Sequence, residues 1–197
     1  MDLKAAKKAL RQNKRALRQG LSDNNQAEAS LALLNRLQQT NTYTRSKSIA
    51  LYLASDGEIS PHLIAEAAWA AGKQVYLPVI SPAKDNTMQF VCYEPDTILN
   101  TNHFGIAEPA PVAECCIDAK DLDLVLLPLV AFDRQGGRLG MGGGYYDRAF
   151  AFMKLKQEGS TELIGLAHHC QETESLTLAD WDIHLNAVMT DLEYITI

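Results

Sequence analysis

At 197 residues, 47% hydrophobic and 21% charged, the chain has apolar material for one core in a single domain, which excludes a repeat array, a collagen-like fibre and a disordered tail. Its longest apolar run, residues 124–132, is interrupted by Pro128 and falls well short of the roughly 20 residues a membrane helix needs, so no membrane partner is expected. The net charge of −6 is unevenly spread: residues 1–20 hold seven of the 18 basic residues and one acid, a local +6 against −12 on the rest, and so acidic a body argues against a nucleic-acid-binding surface.

Residues 3–20 carry Leu3, Ala6, Leu10, Leu17 and Leu21 at helical spacing, so they read as an amphipathic helix ending near Gly20. Lys7, Arg11, Lys14 and Arg18 stack on one face of it. A basic face on an acidic body suits a small polyanionic ligand; a solvated helix face is the alternative. This segment lacks the apolar centre of a secretory signal, and a transit peptide is disfavoured because no Ser precedes Ser22. Ser22 is a plausible N-cap for a second helix with Ala27, Leu31 and Leu34 as its buried stripe, and residues 1–40 together form a helical segment packed on the domain.

From residue 49 the pattern changes. Residues 49–53 make a short apolar strand, Ser60-Pro61 caps and opens a helix running through Ala71 to Gly72, and residues 74–79 and 88–93 are further strands. Residues 122–127 are apolar but for Asp123, as in a central strand buried on both faces. A loop at 133–142, a helix at 143–156, a strand at 163–167 and two closing strands at 187–190 and 194–197 complete the chain. Alternating strands and helices predict an α/β fold: a three-layer sandwich with a mainly parallel, Rossmann-like sheet, ligands at the carboxyl ends of its strands, and an N-terminal helical extension.

The four cysteines, at 92, 115, 116 and 170, have no metal or redox spacing and read as reduced thiols of a cytoplasmic protein. His168 and His169 would point to opposite faces of a strand, which disfavours a metal there.

Six of the 12 glycines fall between 136 and 144, between a buried strand and a helix, where backbone N–H groups can cradle a phosphate. Arg138 offers a bidentate fork to phosphate oxygens, and Asp147, on the first helical turn, suits Mg²⁺ directly or through water. The segment is neither a Walker A loop, for lack of G-K-[ST], nor G-x-G-x-x-G, since Tyr145 takes the place of the third glycine.

Phe132-Asp133, Arg138-Leu139-Gly140 and Gly144-Tyr145-Tyr146-Asp147 together resemble the signature of the 5-formyltetrahydrofolate cyclo-ligase family. Lys7 with Leu10-Arg11, Glu58-Ile59, the run at 105–109, and Trp181-Asp182 with Leu185 and Val188-Met189-Thr190 resemble further family blocks in the same order. The resemblance implies an ATP-dependent ligase that converts 5-formyltetrahydrofolate into 5,10-methenyltetrahydrofolate, with ATP and a reduced folate as its partners and Mg²⁺ as cofactor. It places ATP on Lys7, Arg11, Arg138, Leu139, Gly140, Met141, Gly142, Gly143, Gly144, Tyr145 and Tyr146. The folate falls to Leu53, Glu58, Met141, Gly142, Gly143, Gly144 and Tyr145; the metal to Asp147 and Asp182; and direct roles in the reaction to Arg138 and Tyr145. Met141 and Gly143 stand where some members carry a cation, Trp181 where a polar residue often precedes the aspartate, and Asn186 where many have Asp. The first helix is expected to close over ATP, since Lys7 and Arg11 repel each other on an unoccupied face. A monomer or weak dimer is expected. An ATP-independent isomerase or transferase acting on a phosphorylated small molecule, and a non-catalytic nucleotide- or folate-binding module, are the competing readings.

Overall fold

The computed structural model describes residues 3–80, 87–101, 105, 107–110, 115–155 and 161–197. Two helices open the chain, α1 (Leu3–Gln19) and α2 (Asp23–Leu37), followed by the short α3 (Asn41–Arg45). Ser22 caps α2 as expected, its hydroxyl accepting from the Asn25 N–H. The sheet begins with β1 (Ser48–Ala50), then α4 (His62–Ala70), β2 (Gln74–Ile80), β3 (Met88–Cys92), the small hairpin β4 (Leu99–Thr101) and β5 (Ala107–Pro109), and β6 (Cys116–Ile117). Next come β7 (Leu124–Pro128), the hairpin β8 (Ala131–Phe132) and β9 (Arg138–Leu139), α5 (Tyr145–Ala149), β10 (Glu162–Ala167), β11 (Ala187–Thr190) and β12 (Tyr194–Thr196).

Among the described residues the main sheet has eight strands in the order β12-β11-β10-β7-β1-β2-β3-β6. The strands β11, β10, β7, β1 and β2 are mutually parallel; β12 and β3 add antiparallel at the two sides, and β6 pairs antiparallel to β3 at the far edge. Burial on both faces explains the continuous apolar character of β7. Leu124 and Leu126 face α2 and α4, which contribute Leu33, Leu37, Ile64 and Ala68. Val125 and Leu127 face the opposite layer, built from Phe132, Phe150, Ile183 and Leu185. Alternation along each strand thus feeds two cores, and the expected three-layer α/β sandwich results. No described helix is long and apolar enough to cross a membrane.

Several local expectations differ from the structure. On α2 the buried stripe is Ala29, Leu33 and Leu37, with Leu34 at its margin, while Ala27 and Leu31 are exposed. Two apolar stripes compete on this helix, and the one with uniform four-residue spacing faces the sheet. Pro61, not Ser60, is the N-cap of α4; the Ser60 hydroxyl instead accepts from the His62 N–H at 3.3 Å. The helix expected over 143–156 ends at Ala149 and passes through the buried Phe150 into a 3₁₀ turn at Ala151–Leu155, and Lys156 lies outside the described residues. Phe150 sits within 6.4 Å of Phe90, Tyr146 and Phe152, ring to ring, and turning it into this aromatic cluster breaks the helix. The loop expected at 133–142 contains β9, and α3 and β4 to β6 went unexpected. Of the run at 105–109, Ile106 lies outside the described residues.

Since Leu126 is fully buried in the sheet's centre, Leu126→Ala should cost about 2–5 kcal/mol. Urea denaturation checks this, and a loss under about 1 kcal/mol would mean that β7 is not central.

Candidate functional site

The parallel strands reverse direction of growth at β1: β2 adds on one side, β7, β10 and β11 on the other. Such a switch point leaves a crevice outside the carboxyl ends of the strands. Three segments line it here: residues 51–58 after β1, 129–133 after β7 and 168–172 after β10. Strand ends present carbonyl oxygens, and residues 56 and 58 add two carboxylates, so the crevice floor is electronegative.

Helix α1 lies over this floor, cationic face down. Arg18 is fully buried; its Nε donates to Asp56 O (2.9 Å), its Nη1 to Leu129 O (3.0 Å), and its Nη2 to Asp56 Oδ2 (2.8 Å) and Glu58 Oε1 (3.5 Å). Arg15 forks onto both oxygens of Asp56, at 2.7 and 2.9 Å. Lys14 donates to the carbonyls of Cys170 (2.9 Å) and Glu172 (2.5 Å), and Arg11 Nε to Gly140 O (2.8 Å) across 129 residues of sequence. The sequence suggests Leu3 and Leu17 as part of the apolar contact face; both are instead about half exposed, at 50% and 46%. The strand ends select the cations. Because α1 is fastened by Asp56, Leu129, Cys170 and Glu172, its C-terminal half needs no anion to hold it. The expected closure over ATP can therefore concern only the half that carries Lys7.

This docking needs a close backbone approach. Asp56 and Gly57 are both left-handed (φ 53° and 74°), and a Cβ at Gly57 would lie 3.1 Å from the backbone of Arg18 and Gln19. The Arg15 guanidinium, with help from Arg18, holds the Asp56 carboxyl well below the usual carboxylate range. Glu58 behaves oppositely: burial pushes its carboxyl up, against the pull of Arg18. Burial likewise raises the phenols of Tyr52, whose hydroxyl donates to Ile59 O at 2.6 Å, and Tyr146; both feel the Glu58 charge. Leu53 is half-buried against the core beside them.

The glycine loop forms the next wall. The buried Asp133 accepts from the N–H groups of Gln135 (3.0 Å), Gly137 (2.9 Å) and Leu176 (2.8 Å), and it lies so close to Gly137 that a Cβ there would be 2.7 Å from Oδ2. Gly142 and Gly144 take positive φ (104° and 65°), which turns the chain sharply before α5. Arg138 is turned inward: Nη2 bonds Asp147 Oδ1 at 2.6 Å, and Nη1 bonds Ile183 O. Burial lowers the Arg138 pKa, with Asp147 and Asp182 opposing. Asp147 uses the same oxygen to accept from Ile183 N at 3.1 Å, and Asp182 uses Oδ2 to accept from Ala179 N at 2.8 Å. Among the described residues, no hydrogen bond reaches the second oxygen of either carboxylate. Two hard oxygen donors beside a glycine loop could hold Mg²⁺, which takes one or two carboxylates and completes its shell with other oxygens and water. The loop opens onto a cleft of about 610 Å³ lined by Gly142, Gly143, Gly144, Asp147, Arg148, Ala151, Lys154, Asp180 and Trp181. Arg148 donates to Gly143 O at 2.8 Å and lies over the Tyr145 ring at 5.1 Å.

Arg11, Gly140, Arg138, Asp147 and Asp182 are thus linked along the glycine loop, while Glu58 is linked to Arg18, with Leu53 in the same segment after β1. Lys7 lies one turn before Arg11 on α1. Sequence reasoning placed Lys14 and Arg18 on the basic face offered to an anionic ligand, whereas they bond strand-end carbonyls and Asp56, and it missed Arg15 and Asp56; the Asp56-Gly57 pair just after a strand was the available signal. His168 and His169 lie beyond β10 at the start of a 3₁₀ turn rather than on a strand as expected: His168 is buried on Gln26 Oε1 (2.9 Å) and burial lowers its pKa, while His169 is exposed. His169 does approach Glu172 and Glu193, but Arg134 already ion-pairs with both glutamates.

Comparison with known proteins settles the family. The profile of the 5-formyltetrahydrofolate cyclo-ligase family matches residues 3–191. The chain belongs to that family. It is 39% identical to the 5-formyltetrahydrofolate cyclo-ligase of Haemophilus influenzae over 89% of both chains, and 37% identical to that of Escherichia coli over 89% of this chain and 95% of the other. The structure of Aquifex aeolicus 5,10-methenyltetrahydrofolate synthetase superposes with a TM-score of 0.77 at 28% identity, covering 96% of this chain and 92% of that one. A Mycoplasma pneumoniae 5,10-methenyltetrahydrofolate synthetase, at 23% identity, shares the fold with a TM-score of 0.73. In this cyclo-ligase family member Arg11 of the N-terminal block bonds Gly140 of the glycine block, and Ile183, next to Asp182, bonds Arg138 and Asp147 of that same block.

Two outcomes follow for the cyclo-ligase fold. Gly57→Ala should cost about 1–3 kcal/mol, because a left-handed residue acquires a Cβ against α1, and proteolysis within α1 should accelerate; unchanged melting and digestion would contradict the close approach. A depressed Asp56 pKa contributes stability that is complete above the ordinary Asp value of about 3.9 and is lost as pH falls through the folded value. Denaturation curves from pH 7 to 2 should therefore show an acid limb that Asp56→Asn flattens; an identical limb in the variant would remove Asp56 as its source.

Proposed function

We propose that this chain catalyses the ATP-dependent cyclisation of 5-formyltetrahydrofolate to 5,10-methenyltetrahydrofolate, releasing ADP and phosphate. The observation that carries this reading is the meeting of a glycine loop, a cationic helix face and a carboxylate pair at the switch point of a cyclo-ligase family fold.

The formyl group at N5 is an amide: its carbon is a poor electrophile and its oxygen a poor leaving group. Transfer of the γ-phosphoryl to that oxygen breaks the bond to the β-phosphate and releases ADP. N10 then attacks the activated carbon, its proton departs, and the oxygen leaves with the phosphate. Little covalent chemistry falls to the protein, whose work is alignment and charge neutralisation.

In this reading the backbone and side chains from Leu139 to Tyr146 cradle the phosphates, and Lys7, Arg11 and Arg138 supply positive charge around them. Arg138 acts from beneath the loop, where its bonds to Asp147 and Ile183 O also set the loop's height. Asp147 and Asp182 would hold Mg²⁺, which neutralises phosphate charge when bound. Leu53, Glu58 and residues 141–145 would hold the folate, with Glu58 accepting from its N–H groups. Tyr145 would lie against the reacting end, on the loop between the two ligands. The acidic body and the four free cysteines support a cytoplasmic enzyme without a nucleic-acid partner, working as a monomer or weak dimer.

Incubation with 5-formyltetrahydrofolate and Mg·ATP should raise methenyltetrahydrofolate absorbance in step with ADP. Product without nucleotide consumption would instead favour an ATP-independent transformation, and nucleotide binding without turnover a non-catalytic module. Asp147→Asn keeps an acceptor for Arg138 and Ile183 N but removes the charge, so the variant should fold normally and lose about 10²-fold or more in kcat/KM. Full turnover by this variant would exclude Asp147 from the metal site.

A further inference from the structure

Trp181 is 72% exposed, yet the backbone on both sides of it is braced. It sits in the tight turn 179–182, closed by Asp182 N–H to Ala179 O (3.0 Å) and by Ala179 N–H to Asp182 Oδ2 (2.8 Å). The Lys154 ammonium also binds Asp180 O, and the next residue, Ile183, is clamped between Arg138 and Asp147. The turn is thereby fixed to the glycine loop, and Trp181 lines the 610 Å³ cleft together with Gly142 to Gly144, Arg148 and Lys154. A large aromatic ring kept in water on a braced turn, facing a cleft, is better suited to stacking than to packing.

The direction of the ligands decides what stacks there, and this step rests on the function proposed above. The folate is assigned to Leu53 and Glu58 and to the loop residues 141–145, and the γ-phosphate must meet it there. With the phosphates on the loop, the nucleoside must then extend away from Glu58. Trp181, Lys154 and Asp180 line the cleft that opens from this loop, and neither Leu53 nor Glu58 does. We propose that Trp181 is the stacking platform for the purine ring of ATP, so that the turn carrying Asp182 holds the metal with one residue and the base with the residue before it.

The chain has two tryptophans, and Trp69 is anchored inside, its Nε1–H donating to Tyr93 O at 2.8 Å. In a Trp69→Phe protein the remaining indole emission reports Trp181 alone. Titration with Mg·ADP should quench it, whereas inorganic tripolyphosphate, which lacks a base, and 5-formyltetrahydrofolate should not. In steady-state assays Trp181→Ala should raise KM for ATP by about 5- to 150-fold, the range expected for losing one base stack, with kcat and the folate KM nearly unchanged. Trp181→Phe should restore most of the loss, which a damaged Asp182 turn would not allow. Quenching by folate but not by ADP would overturn the proposal, as would a Trp181→Ala enzyme with an unchanged KM for ATP. The ADP titration needs no turnover, so a quench in a protein inactive on folate would refute the proposed reaction and support the platform as a nucleotide site.

Discussion

The site is organised around one buried cation. Arg18 lies between the segments that follow β1 and β7, the two strands that flank the switch point, and bonds to both: to Asp56 and Glu58 on one side, to Leu129 O on the other. Such a guanidinium is costly to bury, and only near-complete hydrogen bonding offsets that cost. Removing one partner of a buried pair of this kind costs on the order of 3–5 kcal/mol, so the arrangement tolerates few alternatives. Its rigidity is inherited by α1, which in turn sets where Arg11 meets Gly140 and where Lys7 projects.

The same logic extends outward through charge pairs that link distant segments. Arg138, Asp147 and Ile183 tie the glycine loop to the C-terminal turn, and Arg11 ties it to α1. Three parts of the chain that are far apart in sequence therefore share one mechanical frame around the crevice. The two acids near Arg18 are driven apart by their surroundings. Asp56 is stabilised as a carboxylate by Arg15 and Arg18, while burial pushes the neighbouring Glu58 up. An acid that is costly to ionise and already braced by Arg18 and Ser55 N–H is well placed to gain from a ligand's N–H groups.

Much of the fold was legible because strand periodicity and burial coincide: the apolar run of β7 could be a central strand and little else. The glycine loop was legible because six glycines, an arginine and an aspartate in one short stretch are hard to explain by packing. What was hidden depended on partners remote in sequence. In α1 the leucines carry the periodicity a core face would have, but the surface awaiting the helix consists of strand ends rather than apolar side chains, so the cations face inward. The break at Phe150 was invisible for a similar reason, since it follows from an aromatic cluster with Phe90, on a strand far upstream. Arg138 looked like a free phosphate fork because its bond to Ile183 O, 45 residues away, leaves no local trace.

That α1 and the glycine loop form a single phosphate-binding wall, fixed by Arg18, is tested most directly by hydrogen exchange with and without Mg·ADP. Amides at 140–146 and those of the first turns of α1, around Lys7 and Arg11, should be slowed together and by similar amounts. Slowing of the loop with α1 unchanged, or protection appearing instead beside Leu21 and His168, would contradict it.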